Sequence, residues 1–387
     1  MKDNEGIFPL YIGLALDSLA WSILWIFTPL HVFLLGGSLF IIGVICALPP
    51  FASVVTTPIW GHLSDKTGVR KPFIILGTAT SGLLALLYAI LTEPFHFLVL
   101  TLAIIPFNVA YFPATYALLT ERVEMRGESL GKCEAYTSAG WLIGSLVGGL
   151  CAESMNLQAI FIIASASATL GTLIILFGLE EHPKKRKHKN TENMTFKEIL
   201  TRPQMKTLFA LLLIIYTGTA SFSTFFSIYF TETIGGNYAL LGISNALATL
   251  FGSIVSVPLG KAADKIGRKP IILYSTLGYV ILFILLIIVR DPYAVALLWT
   301  IPFYVGIYVG FGAMVSDITS EEERARGMSI LSISVSIGSG LGAIIGGALG
   351  QNFGIDKNLY FATLLSLSAF LLCTTILEET LKTRAAS

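Results

Sequence analysis

The sequence predicts an all-α membrane protein: twelve transmembrane helices in two six-helix repeat halves. Three observations carry that prediction. The composition is too apolar for a soluble domain, twelve apolar runs are each long enough to cross a bilayer, and one polar phrase occurs twice, half a chain apart. Of 387 residues, 54% are hydrophobic and only 13% charged, with mean hydropathy +0.77. A soluble domain would carry roughly 25% charged residues. The net charge of +1 gives no sign of nucleic-acid binding. The opening MKDNEGIF has no basic n-region and the apolar stretch after it is long, so no cleaved signal peptide is expected. The four cysteines have no metal-ligand spacing and are expected to pack as small apolar residues.

A spanning helix needs about 20 apolar residues. Run 1 covers 7–35 and follows Lys2; runs 2 (39–61) and 3 (72–92) are parted by Lys66, Arg70 and Lys71. Runs 4 (95–119) and 5 (133–152) are parted by Arg122, Arg126 and Lys132. Run 6 (158–178) leads to a stretch, 184–206, with eight basic residues, and run 7 (206–231) follows. Runs 8 (238–260) and 9 (270–289) are parted by Lys261, Lys265, Arg268 and Lys269. Runs 10 (293–316) and 11 (328–350) are parted by Arg324 and Arg326, and run 12 (358–377) precedes Lys382 and Arg384. Run length argues for helices, because barrel strands alternate over about 10 residues. Of the 25 Lys and Arg, 23 fall on one side of this topology; only Arg290 and Lys357 fall on the other. An odd number of spans would scramble that split. The positive-inside rule then places both termini in the cytoplasm of a multi-pass cell-membrane protein.

The longest loop, 180–205, divides an N-terminal six-helix half (1–179) from a C-terminal one (206–387). Within it Phe196, Ile199 and Leu200 fit one face of a short interfacial helix. The halves echo each other. WGHLSDKTGVRKP at 60–72 returns as LGKAADKIGRKP at 259–270. Ile105-Pro106-Phe107-x-Val109 matches Ile301-Pro302-Phe303-x-Val305, and Arg126-Gly127-x-Ser129 matches Arg326-Gly327-x-Ser329. Gly140, Gly144, Gly148 and Gly149 match Gly338, Gly342, Gly346 and Gly347. Four matches in one order, at offsets of 196 to 200, indicate a duplication. Two six-span parallel repeats are an architecture of secondary transporters, with the solute site between the halves.

Over nearly its whole length the chain resembles the major facilitator superfamily. The twice-stated phrase resembles its signature loop, G-x-x-x-D-[RK]-x-G-[RK]-[RK]. The second copy fits without change; the first carries an inserted Val69. Physically, Gly61 and Gly260 permit close helix approach, while Asp65 and Asp264 can accept backbone hydrogen bonds and pair with Arg70 and Arg268. The resemblance implies a latch between the halves, with Glu121 and Asp317 in the same charge network.

One carboxylate lies deep. Asp17 is about 10 residues into run 1, hence about 15 Å down. Ionisable residues there usually face a cavity or a partner. Trp21 and Trp25 follow at i+4 and i+8, on one side of the helix with Thr28 and His31. A carboxylate beside two indoles suits an organic cation, or a proton exchanged for substrate. The lesser alternative is a plain hydrogen bond to a neighbouring helix with no transport role. His31 is expected at the interface. Asn108 and Tyr111 in run 4, Tyr216 (aligned with Asp17) in run 7 and Asn245 in run 8 are further cavity candidates.

The glycines of run 5 are spaced like a motif of the drug/proton antiporter branch of the superfamily, with Ser145 where the family has Pro. They allow close packing whatever the function. That branch usually carries an Arg in span 4, near Leu102 here, yet 93–121 contains no Lys or Arg before Arg122. The main reading is therefore a proton-coupled exporter of small drug-like compounds working by alternating access, with Asp17 at its centre. An uptake symporter or facilitator for a sugar or metabolite is the alternative. A non-transporting receptor or scaffold is a third, of a different class. No nucleophile–base constellation, metal site or nucleotide motif is present, so neither an enzyme nor a cofactor is expected. The expected partners are a small-molecule substrate, a proton and the bilayer, with the chain a monomer.

Overall fold

A computed structural model describes residues 6–122, 126–181 and 196–381. All regular structure among them is helical. Twelve helices are long and apolar enough to cross a membrane: Phe8–Leu34, Leu39–Thr67, Lys71–Ile90, Pro94–Glu121, Gly127–Ser154, Leu157–Gly178, Pro203–Thr233, Tyr238–Ile266, Arg268–Ile288, Pro292–Ile318, Arg324–Phe353 and Lys357–Thr375. They are spans 1 to 12, and each falls on its predicted run. Span 2 continues to Thr67 where its apolar run ends at 61. Hydropathy marks the bilayer edge; the helix itself stops only at Gly68, a left-handed cap at φ 69°. Lys2, most of the 180–205 linker, the side chains of Arg122, Arg126 and Phe196, and Lys382 and Arg384 lie outside the described residues.

Three spans are broken. Span 4 stops at Asn108 and resumes at Tyr111, and span 10 stops at Trp299 and resumes at Phe303. Both breaks flank the repeated Ile-Pro-Phe phrase, whose proline removes a backbone donor and crowds the preceding turn. Span 7 ends its regular helix at Ser223 and closes with a π-helical turn, Tyr229–Thr233.

The chain forms two compact units. The first comprises the described residues of Met1–His188 with Phe226–Leu250; the second those of Lys189–Phe225 and Phe251–Ser387. In the first, span 1 is the axis. Side chains at Gly140 and Gly144 of span 5 would collide with the backbone of Ala15 and Leu19, and one at Gly171 of span 6 with that of Gly13. The start of span 8 belongs to this unit because Gly149 and Gly242 bring two backbones together. A Cβ on Gly149 would lie 2.7 Å from the Gly242 Cα. The Glu153 carboxylate accepts from the Tyr238 amide at 2.9 Å beside it.

In the second unit span 7 takes the axial place. Gly338, Gly342 and Gly346 of span 11 lie against the backbone of Leu213, Thr217 and Ser221. Its core holds Met205, Leu208, Phe311 and Met314. Ile199 is fully buried in that core and Leu200 packs on it. The short helix Phe196–Thr201 thus turns these two side chains into the protein rather than the membrane surface. Arg202 beside it grips Glu323 through both guanidinium nitrogens, at 2.7 and 3.1 Å. His31 also departs from expectation. It is 3% exposed, between the rings of Phe97 and Phe161, because spans 4 and 6 close over that face of span 1.

Candidate functional site: a buried carboxylate and two charged turns

The deep site lies wholly in the first unit and centres on a residue without sequence signal. Ser81 of span 3 is fully buried. Its hydroxyl accepts from Trp21 Nε1 at 3.0 Å and from Asn108 Nδ2 at 2.8 Å, and it meets the Asp17 carboxylate. With its lone pairs taken by two N–H donors, the hydroxyl hydrogen has two acceptors in reach, the Gly77 carbonyl of its own helix at 3.3 Å and the Asp17 carboxylate. Asn108 Nδ2 also donates to the Gly77 carbonyl at 2.9 Å. Asp17 is 2% exposed, and its Oδ1 has no hydrogen-bond partner among the described residues. A buried polar atom left unpaired costs free energy unless another state of the protein uses it.

Asp17, Trp21 and Asn108 therefore come together on Ser81. Tyr111 resumes span 4 against Gly77 and is an electrostatic neighbour of Asp17. Trp25 is not part of the knot and is 46% exposed. Asn245, on span 8, donates to the carbonyl of Leu241 in its own helix. Tyr216 lies in the second unit, packed on that unit's core. Ser81 escapes sequence reading because a serine inside a helix ordinarily bonds its own backbone.

The charged turns are built twice. Arg70 donates through Nη2 to Asp65 at 2.7 Å and to Glu121 at 2.9 Å, and through Nη1 to Ser64 at 2.8 Å. Arg268 donates to Asp317 at 3.1 Å and to the Ala263 carbonyl at 2.6 Å, and forms an ion pair with Asp264 at 2.9 Å. The Val69 insertion leaves the pairing intact: Arg70 becomes the residue before span 3, whereas Arg268 begins span 9. Burial opposes the charge on Arg70, and the bonds to Glu121 and Asp65 outweigh it, raising its pKa above the ordinary arginine value. The bonds named here each lie within one unit.

Backbone amides are capped by other carboxylates than expected. Asp65 and Asp264 sit in the last turn of their helices and bond the arginines. Glu181 instead accepts from the amides of Arg70 and Lys71, and Glu379 from those of Arg268 and Lys269 at 3.0 Å each. These glutamates sit at helix N-termini, where negative charge is favoured. Burial works against the charge of Glu379, but its backbone bonds prevail and hold its pKa below the usual carboxylate range. The sequence does contain a signal for the pair: Leu179-Glu180-Glu181 and Leu377-Glu378-Glu379 stand 198 residues apart.

Gly61 and Gly260 are not closely approached in this conformation. A Cβ on Gly61 would meet only Pro113, at 3.8 Å, and one on Gly260 nothing within 4 Å. Gly140, Gly144 and Gly148 of span 5, in contrast, lie tight against span 1, and Gly149 against span 8, whereas Gly127 and Gly131 meet nothing within 4 Å.

A family model described as Major Facilitator Superfamily matches residues 10–313 and 303–387. The chain belongs to that superfamily. Among relatives of this superfamily member, a Multidrug resistance protein MdtG from Rahnella sp. (strain Y9602) is 27% identical over 76% of this chain and 74% of its own length. An Escherichia coli protein of the same name (strain UMN026) is 26% identical over 91% of this chain and 89% of its own. Among solved structures, a bacterial homologue of the human lysosomal transporter Spinster, inward-facing and occupied, aligns with TM-score 0.79 at 14% identity, covering 95% of each chain. The nucleoside transporter NupG aligns with TM-score 0.74 at 15% identity, over 95% of this chain and 96% of that one. At such identity these two share the fold alone. The chain is thus a multi-pass membrane transporter of the superfamily. Leu102, where antiporters of the superfamily usually carry an arginine, is 61% exposed.

Proposed function

We propose that this transporter exports small drug-like organic compounds in exchange for protons, by alternating access. The carrying observation is Asp17: a carboxylate deep in span 1, sealed from water, with one oxygen unpartnered. A carboxyl so placed takes up or releases a proton only when the protein opens a path to it, and that is what coupling requires. The relatives named Multidrug resistance protein support the drug-like substrate class. Both termini face the cytoplasm in this reading, by the distribution of Lys and Arg. The charged turns then lie on the cytoplasmic side, and the open flanks of Gly61 and Gly260 are surfaces that another state of the cycle closes.

The test uses purified protein in liposomes loaded with a pH-sensitive dye, under an imposed pH gradient, with a panel of lipophilic cations, sugars and amino acids. Substrate-driven proton movement in the wild type, lost in Asp17→Asn, is the expected result. Transport indifferent to both gradient and substitution overturns it. That outcome would favour a facilitator, with Asp17 a structural residue.

A further inference from the structure

The first unit holds a small cavity between spans 1, 2, 3 and 4, next to the Asp17 knot. Trp21, Thr28, Ile45, Cys46, Leu84 and Tyr88 are among its walls. The space open to water centres is ≈ 40 Å³. One water needs about 10–15 Å³ on that measure and about 30 Å³ of liquid. The cavity therefore has room for about three waters, which is about the bulk of one six-membered ring.

Its walls do not suit water. The Tyr88 and Thr101 hydroxyls bond each other, and Thr101 also donates to the Phe97 carbonyl. Trp21 spends its N–H on Ser81. What remains is the Thr28 hydroxyl, 6% exposed and without a hydrogen-bond partner among the described residues. A water held by one group lacks the two to four partners a buried water needs. An apolar group displacing such water gains affinity. Trp25 also lines the cavity and, at 46% exposed, stands at its rim.

We propose that this cavity is a binding subsite for a ring-sized apolar group of the transported compound. Trp21 ties it to the acid, since its ring walls the cavity while its N–H meets the serine that touches Asp17. The favoured ligand is thus a compact amphiphile, a ring on a short arm bearing a cationic centre. The cation rests on the proposed role of Asp17; the ring does not.

Cys46 supplies the reporter. In the full chain carrying Cys133→Ala, Cys151→Ala and Cys373→Ala, labelling of Cys46 by N-ethylmaleimide is followed by mass spectrometry. Benzyltrimethylammonium is expected to protect Cys46 at a concentration about tenfold or more below that of tetramethylammonium, because only the former brings a ring to bury. Benzyl alcohol, uncharged, is expected to protect in both wild type and Asp17→Asn. Equal protection by the two ammonium compounds, no protection by either, or a Cys46 that never labels overturns the proposal. Ile45→Phe, which adds a ring to the cavity, is expected to abolish the benzyl advantage. If that variant fails to fold, the probe comparison on the parent chain still decides. Loss of proton coupling with benzyl protection intact would break the export reading and leave the subsite standing; the reverse would break the subsite alone.

Discussion

In the first repeat the mid-membrane positions of spans 1, 3 and 4 are Asp17, Ser81 and Asn108. The second repeat sets Tyr216, Tyr279 and Tyr304 at the corresponding places, 199, 198 and 196 residues later. The acid, hydroxyl and amide form one hydrogen-bonded knot. The phenols carry no such bonded knot: Tyr279 stacks on Phe283 at 5.7 Å, meets Phe303, and has Tyr216 and Tyr304 as electrostatic neighbours. The charged turns behave in the opposite way: arginine, two carboxylates and a capping glutamate recur in both halves. Duplication has kept the chemistry that closes the turns and changed the chemistry in the middle of the membrane. One half carries an ionisable carboxyl and the other carries phenols, so the proposed proton coupling is lodged in the first.

The difference can be broken first at its hub. Ser81→Ala leaves the Trp21 N–H unpaired and strips Asp17 of its hydroxyl contact, at a cost of about 3–5 kcal/mol. Tyr279→Phe, its counterpart, should cost about 1 kcal/mol or less. Thermal unfolding in detergent, followed by tryptophan fluorescence, compares them; equal losses would erase the distinction between the two middles.

The charged turns should respond more alike, though not identically. Arg70→Ala abandons Glu121 and Ser64, and about 2–4 kcal/mol of stability should go with it. Arg268→Ala should cost about half as much, because Asp317 keeps the Thr380 hydroxyl at 2.8 Å. The same unfolding assay ranks the pair, and a reversed order would contradict the assignment.

A finer contrast lies at the two turn glycines. Gly267 adopts φ 108° and ψ 162°, a region only glycine occupies readily, and a Cβ there would strike the Glu379 carboxylate. Gly267→Ala should cost about 2–3 kcal/mol. Gly68, at φ 69°, is in the milder left-handed region, and Gly68→Ala should cost about 1 kcal/mol.

The smallest effect is a pH dependence at the span 9 cap. The folded pKa of Glu379 lies below its ordinary value of 4.5. Its stabilisation is therefore complete above the unfolded value and fades as pH falls below it and through the lowered folded one. Amide exchange at Arg268 and Lys269 should quicken over that range, and Glu379→Gln should flatten the dependence. An unchanged profile in the variant would remove Glu379 from the role.

By itself the sequence determined the number of spans, their order and the internal duplication. Those follow from hydrophobic length and repeated phrases, which are local properties of the chain. It also singled out Asp17, because a charge inside a 27-residue apolar helix stands out without any neighbour. Only the tertiary structure decided what Asp17 touches. Ser81 lies 64 residues away on another helix, in a run where serine carries no pattern of its own. Likewise Glu181 and Glu379 read as loop charges until folding brings them to helix starts about 110 residues upstream. The proline phrase marks the break in span 4 locally, but that Asn108 meets Ser81 there is decided by packing between helices. Hydropathy measures how long a helix can be; it is silent on which side chains meet when several of them pack.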